Sequence, residues 1–344
     1  MDSKVECFPA ETLQTWVQEI FQNLDVPAQD AAVAAEALVN TSLRGMDTHG
    51  IIYTLTYTQD IREGKITPRP DIRTIQDHPS TALLDGGNGL GMVVGRQAMD
   101  QAIAKAGETG SGVVGVRNST HFGAAAYYAQ LASNQGLIGI SFSNTPPVMA
   151  PWGSKTLFVG NNPMAIAAPG GIEGGLSLDM AMTNVAWGKM YLAARAGRKM
   201  PLDWATDLEG RSTDDPVIGM AGLMLPLGGH KGYGLAVMIE ILTSILTGAA
   251  YGPDLDSGLN WGHCFMAIDI EHFLPLEAFT NRLSQLVTDL HACQPCAEGQ
   301  CIYAPGEIEA QTMARRLEQG IPIPEDLIAD LDGLGRELKV PFPR

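Results

Sequence analysis

Residues 112–132, GVVGVRNSTHFGAAAYYAQLA, constrain the fold more than any other stretch. The β-rich apolar run at 113–116 breaks at Arg117 into a short polar turn containing a glycine, and Ala-rich sequence suited to a helix follows. A chain built this way packs helix against sheet, with His121 at the junction between them. Imidazole titrates near neutrality, so a histidine there can carry a proton. A histidine held by structural hydrogen bonds fits the same stretch equally well.

Upstream, Leu13, Trp16, Val17, Ile20 and Phe21 recur at helical spacing, and Pro27 precedes a second helical pattern over 30–43. Gly45 ends that pattern before Thr48, His49 and Gly50, which are predicted to open a third helix. His49, Tyr53 and Tyr57, four apart, would then share a face, with Arg44 just before the break. A guanidinium can clamp a carboxylate and an imidazole can move a proton, while a hydrogen-bonded helix terminus explains the same residues without a ligand. Next, TALLDGGNGLG and the residues after it predict a strand, a Gly-rich turn and a helix over 91–106. These glycines lack the GxGxxG spacing with its downstream acid, so the conventional nucleotide fingerprint is weak there.

Two further strands end in polar residues. GLIGISFSNTPP presents Ser141, Ser143, Asn144 and Thr145, and LSLDMAMTN puts Asp179 where it can orient a ligand or cap a helix, with a helix over 184–196 to follow. In GGHKGYGL, His230 and Lys231 sit in a turn that opens an apolar helix over 233–246. Free amides, the positive helix end and the lysine charge can receive a phosphate or carboxylate, whereas the helix body reads as buried core or subunit interface. Residues 261–270 suit an interior strand, Pro305 and Gly306 a turn before a helix, GIPIP a link, and 325–331 the start of a last helix. Strands and helices alternate with irregular connections, which leaves a mixed or an antiparallel sheet open.

With 344 residues the chain is too long for one typical core. Its 38 acidic against 22 basic side chains argue against nucleic acid or an anionic membrane as partner and for a small anionic metabolite held in a local basic pocket. No run of apolar residues is long enough to span a bilayer, and MDSKVECFPAE lacks the pattern of a secretory signal, so a cytoplasmic location is expected. The five cysteines form an odd set best read as reduced thiols. Cys293 and Cys296, with His291 and Cys301 nearby, fall short of a complete zinc ligand set, so no metal is expected.

Taken in order, LRGMDTHG, LDGGNGLG, VRNSTHFGAAAYYA, GISFSNTPP, GNNPMAIAAPG, LDMAMTNVAWGK, GGHKGYGL, GHCFMAIDI, APGE and GIPIP resemble the malate/L-lactate dehydrogenase-like family of NAD(P)-dependent oxidoreductases. That family is distinct from the Rossmann lactate and malate dehydrogenases. The resemblance implies an α/β (α+β) fold: a non-Rossmann dinucleotide-binding domain with a mainly antiparallel central sheet over 76–274, and a discontinuous helical domain from 1–75 and 275–344. It also implies a homodimer with active sites near the interface. His121 and His49 match histidines assigned the proton role in different branches, and with the residue reading above Arg44, Thr48 and Tyr53 are assigned to the substrate. Contacts to NAD or NADP carry over to Ser143, Asn144, Thr145, Asp179, Met180, Ala181, His230, Lys231, Pro305, Gly306 and Glu307.

One departure stands out. Many members carry an arginine four residues after the histidine of the HG motif to bind the substrate carboxylate, and this chain has Tyr53 there. A tyrosine offers neither the charge nor the fork of a guanidinium. Either Arg44, Arg62 or Arg117 supplies the charge, or the substrate differs. The implied reaction is reversible hydride transfer between NAD(P) and a small 2-hydroxy acid such as malate or lactate. The alternatives are a specialised member acting on a cyclic imine acid, ureidoglycolate or sulfolactate, and a catalytically weak dinucleotide-binding protein.

Overall fold

The computed structural model describes residues 5–343, apart from the side chains at 256 and 257. Strand β1 (Val5–Phe8) leads into α1 (Ala10–Gln22) and α2 (Ala28–Leu43), each preceded by a proline in extended conformation at the N-cap. The apolar spacing predicted for α1 holds: Leu13, Trp16, Val17, Ile20 and Phe21 are all buried. The third helix differs from expectation. Residues Asp47–His49 form a separate 3₁₀ turn, and α3 runs Tyr53–Arg62. Gly50 breaks the path between them with φ −90° and ψ −139°. A Cβ there would lie 2.0 Å from Ser42 Oγ, the atom that accepts the Ile51 N–H at 3.0 Å, so the chain is drawn against α2 before the helix can start.

The middle of the chain supplies β2 (Arg73–Asp77), β3 (Thr81–Asp85), α4 (Gly91–Thr109), β4 (Ser111–Ser119), α5 (Ala125–Ser133), β5 (Leu137–Ser143), β6 (Met164–Ala168) and β7 (Leu176–Met180). Then come α6 (Trp187–Arg195), β8 (Ala205–Thr206), α7 (Pro216–Ala221), β9 (Leu223–Met224) and α8 (His230–Glu240), which continues as a π turn over Ile241–Ile245. The long strand β10 (Trp261–Asp269), α9 (Leu276–His291), α10 (Glu307–Gln319), β11 (Ile321–Pro324) and α11 (Glu325–Leu338) complete it.

Among the described residues the main sheet has seven strands in the order β2-β3-β4-β10-β5-β6-β7. Every neighbouring pair is antiparallel except β3 with β4, which α4 connects as a crossover. This is the mixed, mainly antiparallel sheet expected. Helices α4 and α5 lie on it at backbone contact: a Cβ at Gly112 would sit 2.0 Å from Ala102 O, and one at Gly139 would sit 2.2 Å from Ala129 O. Only glycine leaves room for a helix that close.

GIPIP forms a strand and not the expected link: β11 pairs antiparallel with β1, Cys7 opposite Pro322 and Val5 opposite Pro324. Prolines are tolerated because each strand of a two-stranded ribbon needs hydrogen bonds on one side only. The chain ends are further joined where Trp16 Nε1 donates to Val340 O at 3.0 Å and Phe342 packs edge-on to Phe8 and Trp16. No helix among the described residues is long and apolar enough to cross a membrane.

Candidate active site

The strand-to-helix junction of the opening stretch is formed by the end of β4 and the start of α5. His121 lies in the connection, and Gly123 with φ +77° turns the chain into the helix. Tyr57 on α3 meets the imidazole, its hydroxyl 2.6 Å from His121 Nδ1. The Gly123 N–H also approaches Nδ1, at 3.4 Å. Tyr53, one helical turn before Tyr57, stacks on His121 with centroids 4.8 Å apart and on His49 at 5.5 Å, and the two imidazoles are 5.9 Å apart. Although His49 precedes the helix, the 3₁₀ turn still delivers it to the face the spacing predicted.

That turn is held from two sides. Thr48 Oγ1 is 3.0 Å from His49 Nδ1 and packs against the start of α6 at Gly188. Arg316 of α10 clamps the Asp47 carboxylate through both terminal nitrogens, at 2.5 and 2.9 Å. Arg316 and Asp47 were not candidates from the sequence, because 269 residues separate them.

Burial governs the proton chemistry. The His121 imidazole is driven down to about 3, by loss of solvent first and then by the neighbouring His49 and His263. Burial likewise lowers His49 and raises the Tyr57 phenol well above its ordinary value. Near neutral pH the pair is therefore a neutral imidazole bonded to a neutral phenol. The hydroxyl can donate to Nδ1 or accept from it, so it serves both protonation states of the ring. Beside His121 opens a cavity of about 190 Å³ lined by Asp60, Lys65, Ile66, Thr120 and Trp261.

The remaining predicted residues gather at the sheet's polar ends. Ser143 and Asn144 are fully buried and bonded internally: Ser143 Oγ to Asn144 O and His263, Asn144 to Ser244, Ala250 and Gly262. Their side chains shape the loop that follows. Thr145 bonds through its N–H to Asn162 Oδ1 and through its hydroxyl to Asn161 Oδ1, while Asn162 Nδ2 reaches Ala236 O on α8. The Met182 N–H donates to Asn161 O, and the Leu227 N–H donates to Met182 O. Asn161 and Asn162 thus knit the loop at Thr145, the segment just past Met180 and Ala181, and the approach to His230 and Lys231. Pro305 O accepts from the Ser177 N–H of β7, Gly306 packs on Ser177, and Glu307 bonds the Ala304 N–H and His291.

Arg44 is placed elsewhere. It is buried beside Gln130, whose amide oxygen accepts from it once the amide is oriented to satisfy both partners, and it feels the charges of Glu309 and Asp179. Asp179 accepts the Ala126 N–H in the first turn of α5 at 2.9 Å, and burial lifts its carboxyl to about 6. An anionic dinucleotide fits the start of α8, where Gly228 and Gly229 take φ +58° and +67° and His230, beside Trp152, and Lys231 stand exposed. Among the described residues no group of three or more His, Cys, Asp or Glu side chains is arranged to hold a metal.

A non-Rossmann α/β fold with a mainly antiparallel sheet, a half-buried neutral histidine backed by a phenol and a Gly-rich helix start suited to phosphate defines the class: a dinucleotide-dependent oxidoreductase scaffold. Residues 8–332 match the family described as Malate/L-lactate dehydrogenase, and the chain belongs to that family. It is 39% identical to a malate dehydrogenase of Pyrococcus horikoshii, with 96% of this chain and 95% of the relative covered. It is 40% identical to an L-sulfolactate dehydrogenase of Methanocaldococcus jannaschii, covering 93% and 94%. The crystal structure of malate dehydrogenase from Entamoeba histolytica superposes with a TM-score of 0.96 at 30% identity, over 99% of this chain and all of that one.

Proposed function

We propose that the protein is an NAD(P)-dependent dehydrogenase interconverting a small 2-hydroxy acid and its 2-oxo acid, with His121 as the proton carrier. The observation that carries the reading is the 2.6 Å bond from Tyr57 to a half-buried, neutral His121 that lines a cavity of metabolite size. Bound NAD or NADP supplies the hydride chemistry; the chain orients the substrate, excludes water and moves the proton. In oxidation the neutral imidazole takes the hydroxyl proton as Tyr57 accepts from Nδ1, and in reduction the imidazolium returns it. His49 stacks on Tyr53 and on the His121 ring, with centroids 5.5 and 5.9 Å away. The assigned dinucleotide contacts are the loop at Ser143, Asn144 and Thr145, the strand end at Asp179, Met180 and Ala181, His230 and Lys231, and the turn at Pro305, Gly306 and Glu307.

The proposal extends to a cytoplasmic homodimer whose helical part, 1–75 with 275–344, flanks a dinucleotide-binding part, 76–274. Pyruvate, oxaloacetate and sulfopyruvate assayed with NADH and with NADPH test the activity. At least one pair should turn over, and His121→Asn should lower kcat by about 10²- to 10⁴-fold while coenzyme binding persists. Coenzyme binding by the wild type without turnover of any acid would support a weakly catalytic binding protein instead. A specialised substrate such as sulfolactate is the second reading, favoured by Tyr53 in place of a guanidinium.

A further inference from the structure

The reaction proposed above needs a positive group for the substrate carboxylate, and the three arginines considered from the sequence are all engaged elsewhere. Arg62 pairs with Glu337 at 3.0 Å, Arg117 pairs with Asp85 at 3.4 Å, and Arg44 is buried against Gln130. None of the three lines the cavity beside His121, whereas Lys65 does. We propose that Lys65 is the residue that receives the substrate carboxylate and so determines which acids bind, an inference that rests on the dehydrogenase reading.

Its position is built into α3. That helix carries Tyr53 and Tyr57 against the imidazoles, then Asp60 on the cavity wall. It closes where the N–H groups of Lys65 and Ile66 both donate to Asp60 O, at 2.9 and 3.1 Å. One short element therefore anchors both the phenol of the proton carrier and the backbone from which the lysine reaches the cavity. The ammonium is available: Nζ lies 2.7 Å from Glu63 and 3.7 Å from Asp60, and the Lys65 side chain is 46% exposed. Ion pairs this open contribute little, so a substrate carboxylate can replace Glu63 as the partner at small cost. An ammonium offers three rotatable donors on a flexible stem, which suits capture of a carboxylate at a cavity mouth. Asp60, which shares the wall, competes for the same charge. Removing each member of the pair should therefore move acid binding in opposite directions, a signature that a merely structural ion pair would not give.

The experiment uses the full-length protein saturated with whichever of NADH or NADPH it binds, and oxamate, an unreactive 2-oxo acid analogue, as the calorimetric probe. Lys65→Met should weaken oxamate at least tenfold and raise KM for the preferred 2-oxo acid to the same degree. Its kcat should stay within threefold and its coenzyme Kd should not change. Lys65→Arg should stay near wild type, and Asp60→Asn should tighten oxamate. If Lys65→Met leaves oxamate Kd and KM unchanged while the wild type turns over, the assignment of Lys65 is overturned and the dehydrogenase reading stands. Oxamate binding weakened by Asp60→Asn also overturns it. A wild type that neither binds oxamate nor reduces any 2-oxo acid overturns both.

Discussion

His121 and His263 are both held near 3, and the second was never a candidate for chemistry. His263 sits on β10 fully buried, stacked on Phe122 at 4.6 Å, with Ser143 Oγ 2.9 Å from Nδ1 and Ser119 Oγ 2.9 Å from Nε2. Because the Ser143 hydroxyl already donates to Asn144 O, it accepts from Nδ1–H, and Ser119 donates to Nε2. Burial away from solvent is what keeps this ring neutral, since the charged form would have to stand without water. A histidine whose folded value is depressed contributes stability that is complete above its unfolded value of 6.5 and is lost as pH falls toward 3. Asp179, raised to about 6, works in the opposite sense, so a difference between variants isolates His263 more cleanly than the wild-type curve does. We expect His263→Gln, measured by urea unfolding between pH 6.5 and 5, to flatten the loss of stability on acidification. The slope should change by up to about 1.4 kcal/mol per pH unit relative to wild type. Parallel curves would mean that His263 titrates alike in both states.

At the scale of elements, long periodic helices were legible and short or glycine-broken ones were not. The pattern in α1 predicted its buried face, since five apolar residues at helical spacing outweigh any local irregularity. The 3₁₀ turn at His49 escaped because Gly50 is compatible with a helix locally and is turned out of it only by contact with Ser42. Strands β1 and β11 escaped because each makes sense only with its partner more than 300 residues away. The same tertiary dependence explains the glycines of the sheet. In sequence, Gly139 is a weakness within a β-rich run, while in the fold it admits the α5 backbone. Gly139→Ala should destabilise the protein by about 1–3 kcal/mol, the usual cost of overpacking, because the added methyl meets backbone that cannot rotate away. Thermal and urea unfolding would check this, and a loss below about 0.5 kcal/mol would mean that α5 lifts freely from the sheet.

Over the whole molecule, the histidine pair was legible because each histidine sits at a marked break in pattern, whereas the cation of the cavity was not. Lys65 follows an exposed turn at the end of a helix, where a lysine carries no signal in sequence, and only the packing of α3 beside His121 gives it meaning. The apolar helix α8 shows a related ambiguity. Its sequence fitted buried core or subunit interface alike, and in the fold one stripe faces outward: Leu235, Met238, Ile241 and Ile245 are 41–58% exposed. These residues recur at three- or four-residue spacing, so they form a continuous ridge along one helix side. A net charge of −16 makes copies of the chain repel at long range, and an apolar ridge free of charged side chains is the kind of surface on which that repulsion can be overcome. We expect the protein to sediment at twice the chain mass at micromolar concentration, with a midpoint that moves to lower protein concentration as added salt screens the repulsion between copies. Met238→Asp should raise the dimer dissociation constant by about a hundredfold or more, because the symmetric contact would bury a carboxylate twice. Leu317→Asp, on an exposed apolar residue of α10 remote in sequence from the ridge, is the control and should leave the dimer intact. A Met238→Asp protein that remains dimeric would place the interface on another face and leave the ridge of α8 without this role.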